Sequence, residues 1–484
     1  MPDPNVLFVI VDQMRASALG CAGNDEVHTP NLDRLAASGV RCTDACANYP
    51  VCTPSRACIV SGQYPLTTGV VSNDIPLPTD APSVGEAFRE AGYRTGYVGK
   101  WHLDGVPRSK FTPPGPRRQG FEDFWAVYNC RHDYWNPAYY RDTPELVERE
   151  GYEPAVQTDL ALEFIKGDAP FFLTLAWGPP HDPYEQVPAE YRERYDPADL
   201  TLPPNAEPVH PDTDALLAPP IRHWGTAEAF DTGEPYAYDD RRAVLADYYA
   251  QITALDDQFG RLLDAIGARD DETAVVFTSD HGDMLFSQGA IQKGSPHEES
   301  IGVPFLARWP GGPRGGTSDA LVSTVDFAPT LCGMAGVDAP DAMEGVDCSA
   351  ALAGEERGRE SVFLLNVESE WRGVRTRRYT YARLPGEGER YQHLPGGHWL
   401  LYDNAEDPHQ LRNRVLDADD ADTRTELSAE LDAYLDATGD GHRRFEDHVR
   451  ELGLVDRYNE KVTWFKRNHE AYADRRDYIG PDLS

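Results

Sequence analysis

Apolar runs and helix-period segments alternate along the chain up to about Gly354. Val6–Val11, Phe171–Trp177 and Ala274–Thr278 are apolar runs of the kind that form strands buried on both faces of a sheet. Pro30–Ser38 begins with proline and is followed by glycine, as many helices are. Further segments predict two helices and a strand: Ser83–Ala91, Tyr248–Ile266 and Arg94–Val98. Strands that alternate with helices predict an α/β fold with a large, mostly parallel sheet flanked by helices.

After Gly354 the pattern changes to short runs separated by turns. Four runs have strand composition: Ser361–Asn366, Trp371–Thr376, Tyr379–Arg383 and Trp399–Tyr402. They predict a smaller antiparallel sheet, followed by a helix near Glu426–Leu435. We therefore expect an α/β domain at residues 1–355 and a C-terminal subdomain with a helical tail at residues 356–484.

Two long segments interrupt the alternation of strands and helices. Gly105–Asp142 is rich in aromatic residues and arginine, and Leu200–Tyr238 is rich in proline. Loops of this length inside a compact domain are usually functional, so we predict that both segments form lids or pocket walls.

Composition narrows the classes of partner. The 484 residues include 45 Lys and Arg against 81 Asp and Glu, a formal net charge of -36. Binding to nucleic acid or to an anionic membrane needs a positive face, so this balance argues against both. Only six of the basic residues are lysines. An acidic, arginine-rich composition is typical of proteins from salt-loving cells, and we expect a halophilic-type surface.

The amino terminus predicts the compartment. No basic stretch precedes Val6–Val11, no small-residue cleavage site follows it, and the run is too short to span a membrane. We therefore expect a soluble, cytoplasmic protein.

Eight cysteines in such a chain do not indicate a disulfide framework. Cys42, Cys46, Cys52 and Cys58 lie close together, but their spacing is not that of a zinc site. We interpret every cysteine except Cys52 as a buried thiol.

The segment that begins at Cys52 is the most informative in the chain. Thr53 can cap a helix, Pro54 suits its first turn, and Gly62 can end it. Cys52 would then lie at the positive end of a helix dipole, with Arg56 one turn away. That is a favourable place for an anion.

The same segment carries a family resemblance. Cys52–Gly62 reads CTPSRACIVSG, which resembles the sulfatase signature C-x-P-S-R followed by a hydrophobic stretch and T-G, with Ser61 in place of the usual Thr. Further blocks match the family in the same order: VIVDQMRASALG, VGKWHL, PPHDPY, FTSDHGD, KGSPHEES and YDNAEDPHQLRN. The resemblance covers residues 5–415. It implies an alkaline-phosphatase-like fold, hydrolysis of a sulfate ester to an alcohol and inorganic sulfate, and a modification system that oxidises Cys52 to formylglycine.

A metal site is predicted where two strands end. Asp12 and Gln13 follow the first strand, and Asp280 and His281 follow a later one. Open parallel sheets place their sites at these carboxyl ends, and the resemblance makes these four residues, with Cys52, the metal ligands. Carboxylate and amide oxygens suit a hard cation, and the resemblance implies calcium first. His281 leaves manganese open, and magnesium is a further alternative.

The resemblance also places charged side chains around the anion: Arg56, Lys100, His102, His181 and Lys293. Fixed cations at the sulfate oxygens lower the barrier to displacement. In the implied mechanism a hydroxyl of hydrated formylglycine attacks sulfur, His181 protonates the leaving alcohol, and His102 takes the proton that lets sulfate depart. Asn73 matches a polar pocket residue of related hydrolases.

Three functions stay open. The first is a sulfatase. The second is a phosphonate monoester or phosphodiester hydrolase of the same superfamily, which resembles this chain less at Lys100 and His102. The third is a non-catalytic protein that binds sulfate esters, which the complete set of chemical positions disfavours.

The aromatic segment Asn129–Tyr140 favours a substrate with a sugar or another ring, because such groups stack on Trp and Tyr. Its candidate substrate-binding residues are Arg131, His132 and Trp135. Aryl sulfates and choline sulfate also stay open as substrates. The charged, aromatic segment Val462–Tyr478 is a candidate contact with a neighbouring subunit, so an oligomer is a further expectation.

Overall fold

In the computed structural model, the described residues are 3–167, 170–206, 240–385, 394–468 and 483. They form these strands: β1 Asn5–Asp12, β2 Val40–Cys46, β3 Arg94–Lys100, β4 Phe124–Tyr128, β5 Ala138–Tyr139, β6 Val147–Glu148, β7 Phe171–Pro180, β8 Thr273–Ser279, β9 Phe305–Arg308, β10 Thr317–Ser323, β11 Ser361–Asn366, β12 Trp371–Thr376, β13 Tyr379–Arg383 and β14 His398–Asp403. Their α-helices are α1 Pro30–Ser38, α2 Cys52–Ser61, α3 Pro65–Thr68, α4 Val84–Glu90, α5 Glu153–Ile165, α6 Ala189–Arg192, α7 Arg241–Ile266, α8 Glu298–Ile301, α9 Phe327–Ala335, α10 Ser349–Leu352, α11 Ala421–Thr438, α12 Phe445–Glu451 and α13 Val455–Asn468. Within these ranges, no helix has the length and apolar character needed to cross a membrane.

An eight-stranded sheet forms the centre of the protein, in the order β10-β2-β9-β8-β1-β7-β3-β4. Neighbouring strands are parallel except at β9, which runs antiparallel to both of its neighbours. β1 lies in the middle, where Val6 is opposite Phe172 of β7 and Ala274 of β8. The predicted large, mostly parallel sheet is confirmed.

Helices cover both faces of this sheet, because successive side chains of a strand point to opposite faces. Leu7 and Val9 of β1 share an apolar cluster with α1, α5 and α7. Phe8 and Ile10 share another with α2, α4 and α9. Every residue of β1 is buried, as a continuous apolar run predicts.

The strands β11 to β14 form a separate antiparallel sheet in sequence order, which confirms the predicted second sheet. Phe363 of β11 shares an apolar cluster with Leu431 of α11 and Val462 of α13. Tyr49 and Cys58, before and within α2, belong to the same cluster. The C-terminal part therefore supports the segment that carries α2, and the domain bounds 1–355 and 356–484 stay a prediction.

Three predicted loop or tail segments have different outcomes. Gly105–Asp142 is not a loop throughout, because its apolar run Phe124–Tyr128 forms β4, the edge strand beside β3. Of the proline-rich segment Leu200–Tyr238, residues 207–238 lie outside the described residues. Of the predicted contact segment Val462–Tyr478, residues 462–468 belong to α13, and residues 469–478 lie outside the described residues.

Candidate active site

Five of the predicted site residues lie at the carboxyl edge of the main sheet. Asp12 is the last residue of β1, Lys100 is the last residue of β3, and Asp280 follows β8. His181 follows β7, and Cys52 is the first residue of α2. All five are buried, so their charges interact through an environment of lower dielectric constant than water.

The Cys52 thiol is the point on which this group converges. Its sulfur lies 3.2 Å from Nε2 of His281 and accepts a hydrogen bond of 3.1 Å from Nζ of Lys293. Burial raises the pKa of this thiol, but Lys100, Lys293 and His281 outweigh burial and hold the pKa well below its usual value. Burial instead raises the pKa of the Cys58 thiol, six residues further along the same chain segment. Only the first of these two thiols has the environment of a reactive group.

The helix α2 begins at Cys52 because a neighbouring segment bonds to its first turn. The N–H of Thr53 donates to Oδ1 of Asn73 over 2.9 Å, and the N–H of Asp74 donates to Oγ1 of Thr53 over 3.1 Å. The prediction that Thr53 caps the helix was wrong, because Thr53 lies within the helix and its hydroxyl is used in this way. Gly62 ends the helix with a left-handed φ of 64°, as predicted.

Arg56 points to the carboxylates of the site. Its Nε donates to Oδ2 of Asp280 over 2.8 Å, and its Nη2 lies 3.6 Å from Oδ2 of Asp12. The ammonium group of Lys100 also contacts the Asp12 carboxylate. Burial and Cys52 raise the pKa of Asp12, but Lys100 and the other nearby cations hold it well below its usual range. The guanidinium group of Arg56 therefore orders the carboxylates that were predicted to bind metal.

Gln13 presents its amide oxygen to the same group. Its φ of 70° is left-handed, and its Nε2 donates to Oδ2 of Asp283 over 2.9 Å. The hydroxyl of Tyr184 donates to the same carboxylate oxygen over 2.5 Å. Nζ of Lys293 donates to Oε1 of Gln13 over 2.6 Å. Because the acidic partner is at the nitrogen end, the oxygen end of the amide faces the site.

The chemistry of these side chains fits a divalent cation. One donor atom from each of four residues lies within 4.8 Å of the others: Asp12, Cys52, Asp280 and His281. Nδ1 of His281 lies 2.9 Å from the carbonyl oxygen of Gly282, so Nδ1–H can donate there, and a neutral ring would present the Nε2 lone pair to the group. An imidazole nitrogen, two carboxylates and an amide oxygen turned toward one point repel one another, and a cation between them would relieve that repulsion.

His102 is buried between acidic and sulfur-bearing side chains. Its Nε2 lies 3.1 Å from Oδ1 of Asp74. The thiols of Cys52 and Cys130 lie within hydrogen-bonding reach of the imidazole. Burial lowers the pKa of His102, but Cys130 and Asp74 outweigh burial and raise the pKa to about 10. A raised pKa makes the neutral imidazole a stronger base.

His181 and His132 form a stacked pair beside Lys100. Their ring centroids are 4.1 Å apart and their planes differ by 6°. Nε2 of His132 lies 3.1 Å from Nζ of Lys100. Burial, His181 and Lys100 lower the pKa of His132, which therefore accepts a hydrogen bond from the ammonium group. Burial and Lys293 lower the pKa of His181, but the acidic groups around it raise it above its usual value.

Of the other predicted substrate-binding residues, Asn73 bonds to the first turn of α2, and the remaining two lie further out on the loop that carries His132. Arg131 pairs with Asp133 over 3.2 Å and lies over the ring of Tyr128. Trp135 is 43% exposed and its ring is tilted against Tyr152. Of the three candidates on this loop, His132 is thus the one brought to Lys100.

The site also contains five residues that were not predicted from the sequence: Asp74, Arg108, Cys130, Tyr184 and Asp283. Tyr184 and Asp283 lie inside the motifs PPHDPY and FTSDHGD, and Asp74 adjoins Asn73, so motif position was an available signal. Arg108 and Cys130 lie in a long segment without a motif, and only the fold brings them to His102.

Comparison with known proteins identifies the family of this chain. The family model described as Sulfatase matches residues 4–337, and a model described as N-sulphoglucosamine sulphohydrolase, C-terminal, matches residues 288–437. An ulvan-active sulfatase of Formosa agariphila is 35% identical, over 93% of this chain and 85% of the relative. An N-acetylglucosamine-6-O-sulfatase of Bacteroides thetaiotaomicron is 28% identical, over 88% of this chain and 85% of the relative.

Solved structures show the same architecture. The YidJ protein of Bacteroides fragilis, named as a sulfatase, superposes with a TM-score of 0.76 at 29% identity, over 91% of this chain and 97% of that one. The phosphonate monoester hydrolase of Agrobacterium radiobacter superposes with a TM-score of 0.70 at 25% identity, over 90% of this chain and 96% of that one.

Proposed function

The chain belongs to the sulfatase family and is a sulfuric ester hydrolase, and from this premise we propose that it removes sulfate from a sulfated carbohydrate. In this proposal the nucleophile is a formylglycine made from Cys52, and a divalent metal binds beside it. The observation that carries the proposal is the buried Cys52 thiol, on which Lys293, His281 and Asp12 converge at 3.1, 3.2 and 3.6 Å.

The metal would be held by Asp12, Gln13, Asp280 and His281, at the edge where Cys52 also lies. Calcium is the first expectation from the oxygen donors, and the imidazole of His281 keeps manganese and magnesium as alternatives. When bound, the cation would offset negative charge on the sulfate and on the nucleophile. Formylglycine, as its hydrate, would supply one hydroxyl to attack sulfur and a second to allow release of sulfate.

The two buried lysines of the site supply fixed positive charge. Nζ of Lys293 lies between Gln13 and Cys52, and Nζ of Lys100 lies between Asp12 and His132. Both ammonium groups are positioned before substrate binds, so they can accept the charge of a sulfate ester without rearrangement.

His181 is suited to give a proton to the leaving alcohol. Its pKa is raised despite burial, which favours the protonated form of the ring. Stacking on the neutral ring of His132 and a contact of 2.8 Å between Nδ1 and the carbonyl oxygen of Asp182 hold the ring in one orientation. An oriented, protonated imidazole beside the reacting group is the requirement for general acid catalysis.

A carbohydrate is the proposed substrate class for two reasons. The relatives compared above include a sulfatase named for N-acetylglucosamine, and the family model at residues 288–437 carries the name of a sulphohydrolase of a sulfated glucosamine. The exposed ring of Trp135 also offers a surface on which a sugar ring can stack.

The second candidate function is hydrolysis of a phosphonate monoester or phosphodiester. It is supported by the likeness to a phosphonate monoester hydrolase of similar fold. Lys100 favours the sulfatase instead, because a phosphodiester has a second organic group where a sulfate ester has a free oxygen.

Matched aryl sulfate and aryl phosphodiester substrates test the two candidates. If the lysines contact all free sulfate oxygens, the diester loses one charge-assisted contact, which costs about a hundredfold to a thousandfold in rate. We expect kcat/KM to favour the sulfate by at least that factor, and a panel of sulfated sugars to include a better substrate. Equal efficiency, or a preference for the diester, would replace the sulfatase proposal with the second candidate.

Lys100→Ala should shrink this difference between the two substrates. Lys110→Ala is the matched control, because Lys110 pairs with Asp104 and keeps 35% of its side chain exposed. Mass spectrometry of the peptide that contains Cys52, from protein made in a host with the modification system, should show the aldehyde. Active protein that carries only the unmodified thiol would exclude the formylglycine mechanism.

A further inference from the structure

A buried hydrogen-bonded chain lies behind His102. Oδ1 of Asp74 lies 3.1 Å from Nε2 of His102. Arg108 approaches the same carboxylate with two donors, Nε to Oδ1 over 2.9 Å and Nη2 to Oδ2 over 2.9 Å. This two-pronged contact fixes the plane of the carboxylate as well as its position.

Burial makes this chain rigid. Asp74 and His102 are 2% and 1% exposed, and an ionised carboxylate without partners would be costly at such a position. Both carboxylate oxygens are engaged by Arg108, so Asp74 cannot turn away from His102 without losing a bond. Arg108 therefore fixes the Asp74 carboxylate, and this carboxylate fixes the ring of His102.

The backbone at both ends of the contact is unusual. Asp74 has a φ of 63° and His102 has a φ of 60°, and left-handed backbone is unfavourable for residues other than glycine. The N–H of His102 donates to the carbonyl oxygen of Asn129 over 2.6 Å, which keeps the strained residue in place. Strain of this kind persists where the surrounding structure holds it, and it concentrates at functional sites.

The contact with Asp74 also decides which ring nitrogen is available. Nε2 faces Asp74, whereas Nδ1 is buried and has no hydrogen-bond partner of normal geometry in the described part of the chain. The Cys52 thiol lies within hydrogen-bonding reach of the ring. Nδ1 is therefore the nitrogen left to interact with the two neighbouring thiols, those of Cys52 and Cys130.

The segment that holds His102 also holds the nucleophile helix. Asn73 accepts a hydrogen bond from the N–H of Thr53, and the N–H of Asp74 donates to the hydroxyl of the same residue. Two consecutive residues thus contact the start of α2 and the ring of His102. The guanidinium group of Arg108 in turn lies 5.0 Å from the ring centroid of Phe465, in α13.

We propose that Asp74 and Arg108 are positioning residues that fix the His102 ring beside residue 52 and thereby set the rate of turnover. The proposal rests on the hydrolase function proposed above. Asp74 is buried and both of its carboxylate oxygens are engaged by Arg108, so we expect the loss of either residue to change kcat and to leave KM nearly unchanged.

Kinetics of Asp74→Asn test this proposal. The variant keeps the size of the side chain and removes the charge that pairs with Arg108, so His102 loses its fixed orientation. We expect kcat to fall about 100-fold to 10,000-fold, the contribution of a positioned acid or base, with KM and the formylglycine content unchanged. Arg108→Lys keeps the charge and loses the two-pronged contact, so it should show an intermediate kcat. This variant tests the proposal if Asp74→Asn does not fold.

Asp440→Asn is the matched control, because Asp440 is also buried and also contacts a histidine and an arginine, His448 and Arg372. Per folded molecule, this variant should keep the kcat of the unmodified sequence. An equal loss of kcat in Asp440→Asn, or a normal kcat in both Asp74→Asn and Arg108→Lys, would overturn the proposal.

Crystal structures of the same variants give a readout that does not need turnover. The His102 ring should change orientation in Asp74→Asn and keep it in Asp440→Asn. If the starting protein hydrolyses neither sulfate esters nor phosphodiesters, the proposed function fails, and the ring orientation still decides the positioning role. An unchanged His102 ring in Asp74→Asn would exclude that role.

Discussion

Two buried aspartates of this protein contact the same two residue types, in different regions. Asp74 contacts His102 and Arg108 near Cys52. Asp440 contacts His448 and Arg372 in the C-terminal part. Burial raises the pKa of both carboxyl groups, but the arginine and histidine outweigh burial, and both pKa values lie well below the usual range. By composition and charge the two clusters are alike.

They differ in what remains unsatisfied. Arg372 is fully buried, and its Nη1 also donates to the carbonyl oxygen of Trp371 over 3.0 Å. Its Nη2 lies 3.2 Å from Nε2 of His448. These contacts link β12 to α12, and no fully buried side-chain nitrogen or oxygen of Arg372, Asp440 or His448 lacks a partner. In the Asp74 cluster, Nδ1 of His102 is left without a partner of normal geometry among the described residues, next to the reaction centre.

The backbone gives the second difference. Asp74 and His102 both have left-handed φ angles, whereas Asp440 and His448 do not. A cluster that only stabilises the fold can form from relaxed backbone, whereas one that must aim a ring nitrogen is held in a strained conformation. The two Asp–His–Arg clusters of this protein therefore differ in an unsatisfied ring nitrogen and in left-handed backbone, and not in composition.

The largest expected effect is the loss of activity when Cys52 is replaced. Cys52→Ala removes the residue on which the site converges, and we expect kcat/KM for an aryl sulfate to fall about 10,000-fold or more, as when other catalytic nucleophiles are removed. Cys58→Ala is the control, because Cys58 is a buried thiol of the same helix that belongs to the C-terminal apolar cluster. It should keep a rate near that of the starting protein. Similar losses in both variants would indicate a structural effect of α2 rather than chemistry at Cys52.

The next largest effect is on the free energy of unfolding. Here the Asp440 cluster, rather than the Asp74 cluster, is expected to show the greater loss. Asp440→Asn leaves the fully buried Arg372 without its counterion, which costs about 3–5 kcal/mol of the free energy of unfolding. Asp74→Asn should cost less, because the side chain of Arg108 is 16% exposed and can turn toward water. Urea unfolding of both variants at pH 7 measures the difference. A greater loss of stability in Asp74→Asn would contradict the assignment of the two clusters.

The pH dependence of that difference shows whether it arises from charge. The folded-state pKa of Asp440 is lowered, so its stabilisation is present above the unfolded-state pKa of about 3.9 and is lost as the pH falls toward the folded-state value. The gap in unfolding free energy between the starting protein and Asp440→Asn should therefore narrow below about pH 4. A gap that stays constant with pH would point to packing instead.

A smaller effect is expected at the metal ligands. Asp283→Asn removes the charge that receives hydrogen bonds from Gln13 and Tyr184, so the amide oxygen of Gln13 is no longer fixed toward the site. Loss of such a supporting contact lowers metal affinity about 10-fold to 100-fold. Calorimetric titration of chelator-treated protein with calcium and with manganese measures it. Asp264→Asn, at an exposed pair with Arg34, is the control and should bind both metals as before.

Much of the fold and part of the site follow from local sequence. The apolar run that ends at Asp12 and the run that ends before Asp280 form adjacent parallel strands, with Val11 opposite Ser279. Their carboxyl ends therefore meet, as the rule for open parallel sheets predicts. Continuous apolar character was sufficient to predict these two strands, because both are buried on both faces of the sheet.

The remainder depends on contacts between distant residues. Thr53 had the residue type of a cap, but Asn73, in another segment, bonds to the first turn of α2. The pairing of Asp74 with Arg108 joins two loop residues, one with left-handed backbone that no propensity predicts. The edge strand β4 was missed because its apolar run lies within a segment rich in arginine and aromatic residues. Tertiary packing, rather than local preference, decides each of these.

The smallest expected effect is the change of melting temperature with salt concentration, which distinguishes surface charges from the two buried clusters. A net charge of -36 repels itself, and the screening length falls from about 10 Å at 0.1 M salt to about 3 Å at 1 M. We therefore expect the melting temperature to rise between these concentrations, as scanning calorimetry in potassium chloride would measure. Asp74 and Asp440 are 2% and 4% exposed, so dissolved ions screen their pairs far less than the surface. The difference in melting temperature between the starting protein and Asp440→Asn should then be the same at both salt concentrations. A melting temperature that does not change with salt would remove the halophilic interpretation, and a difference that shrinks with salt would show that ions reach the Asp440 cluster.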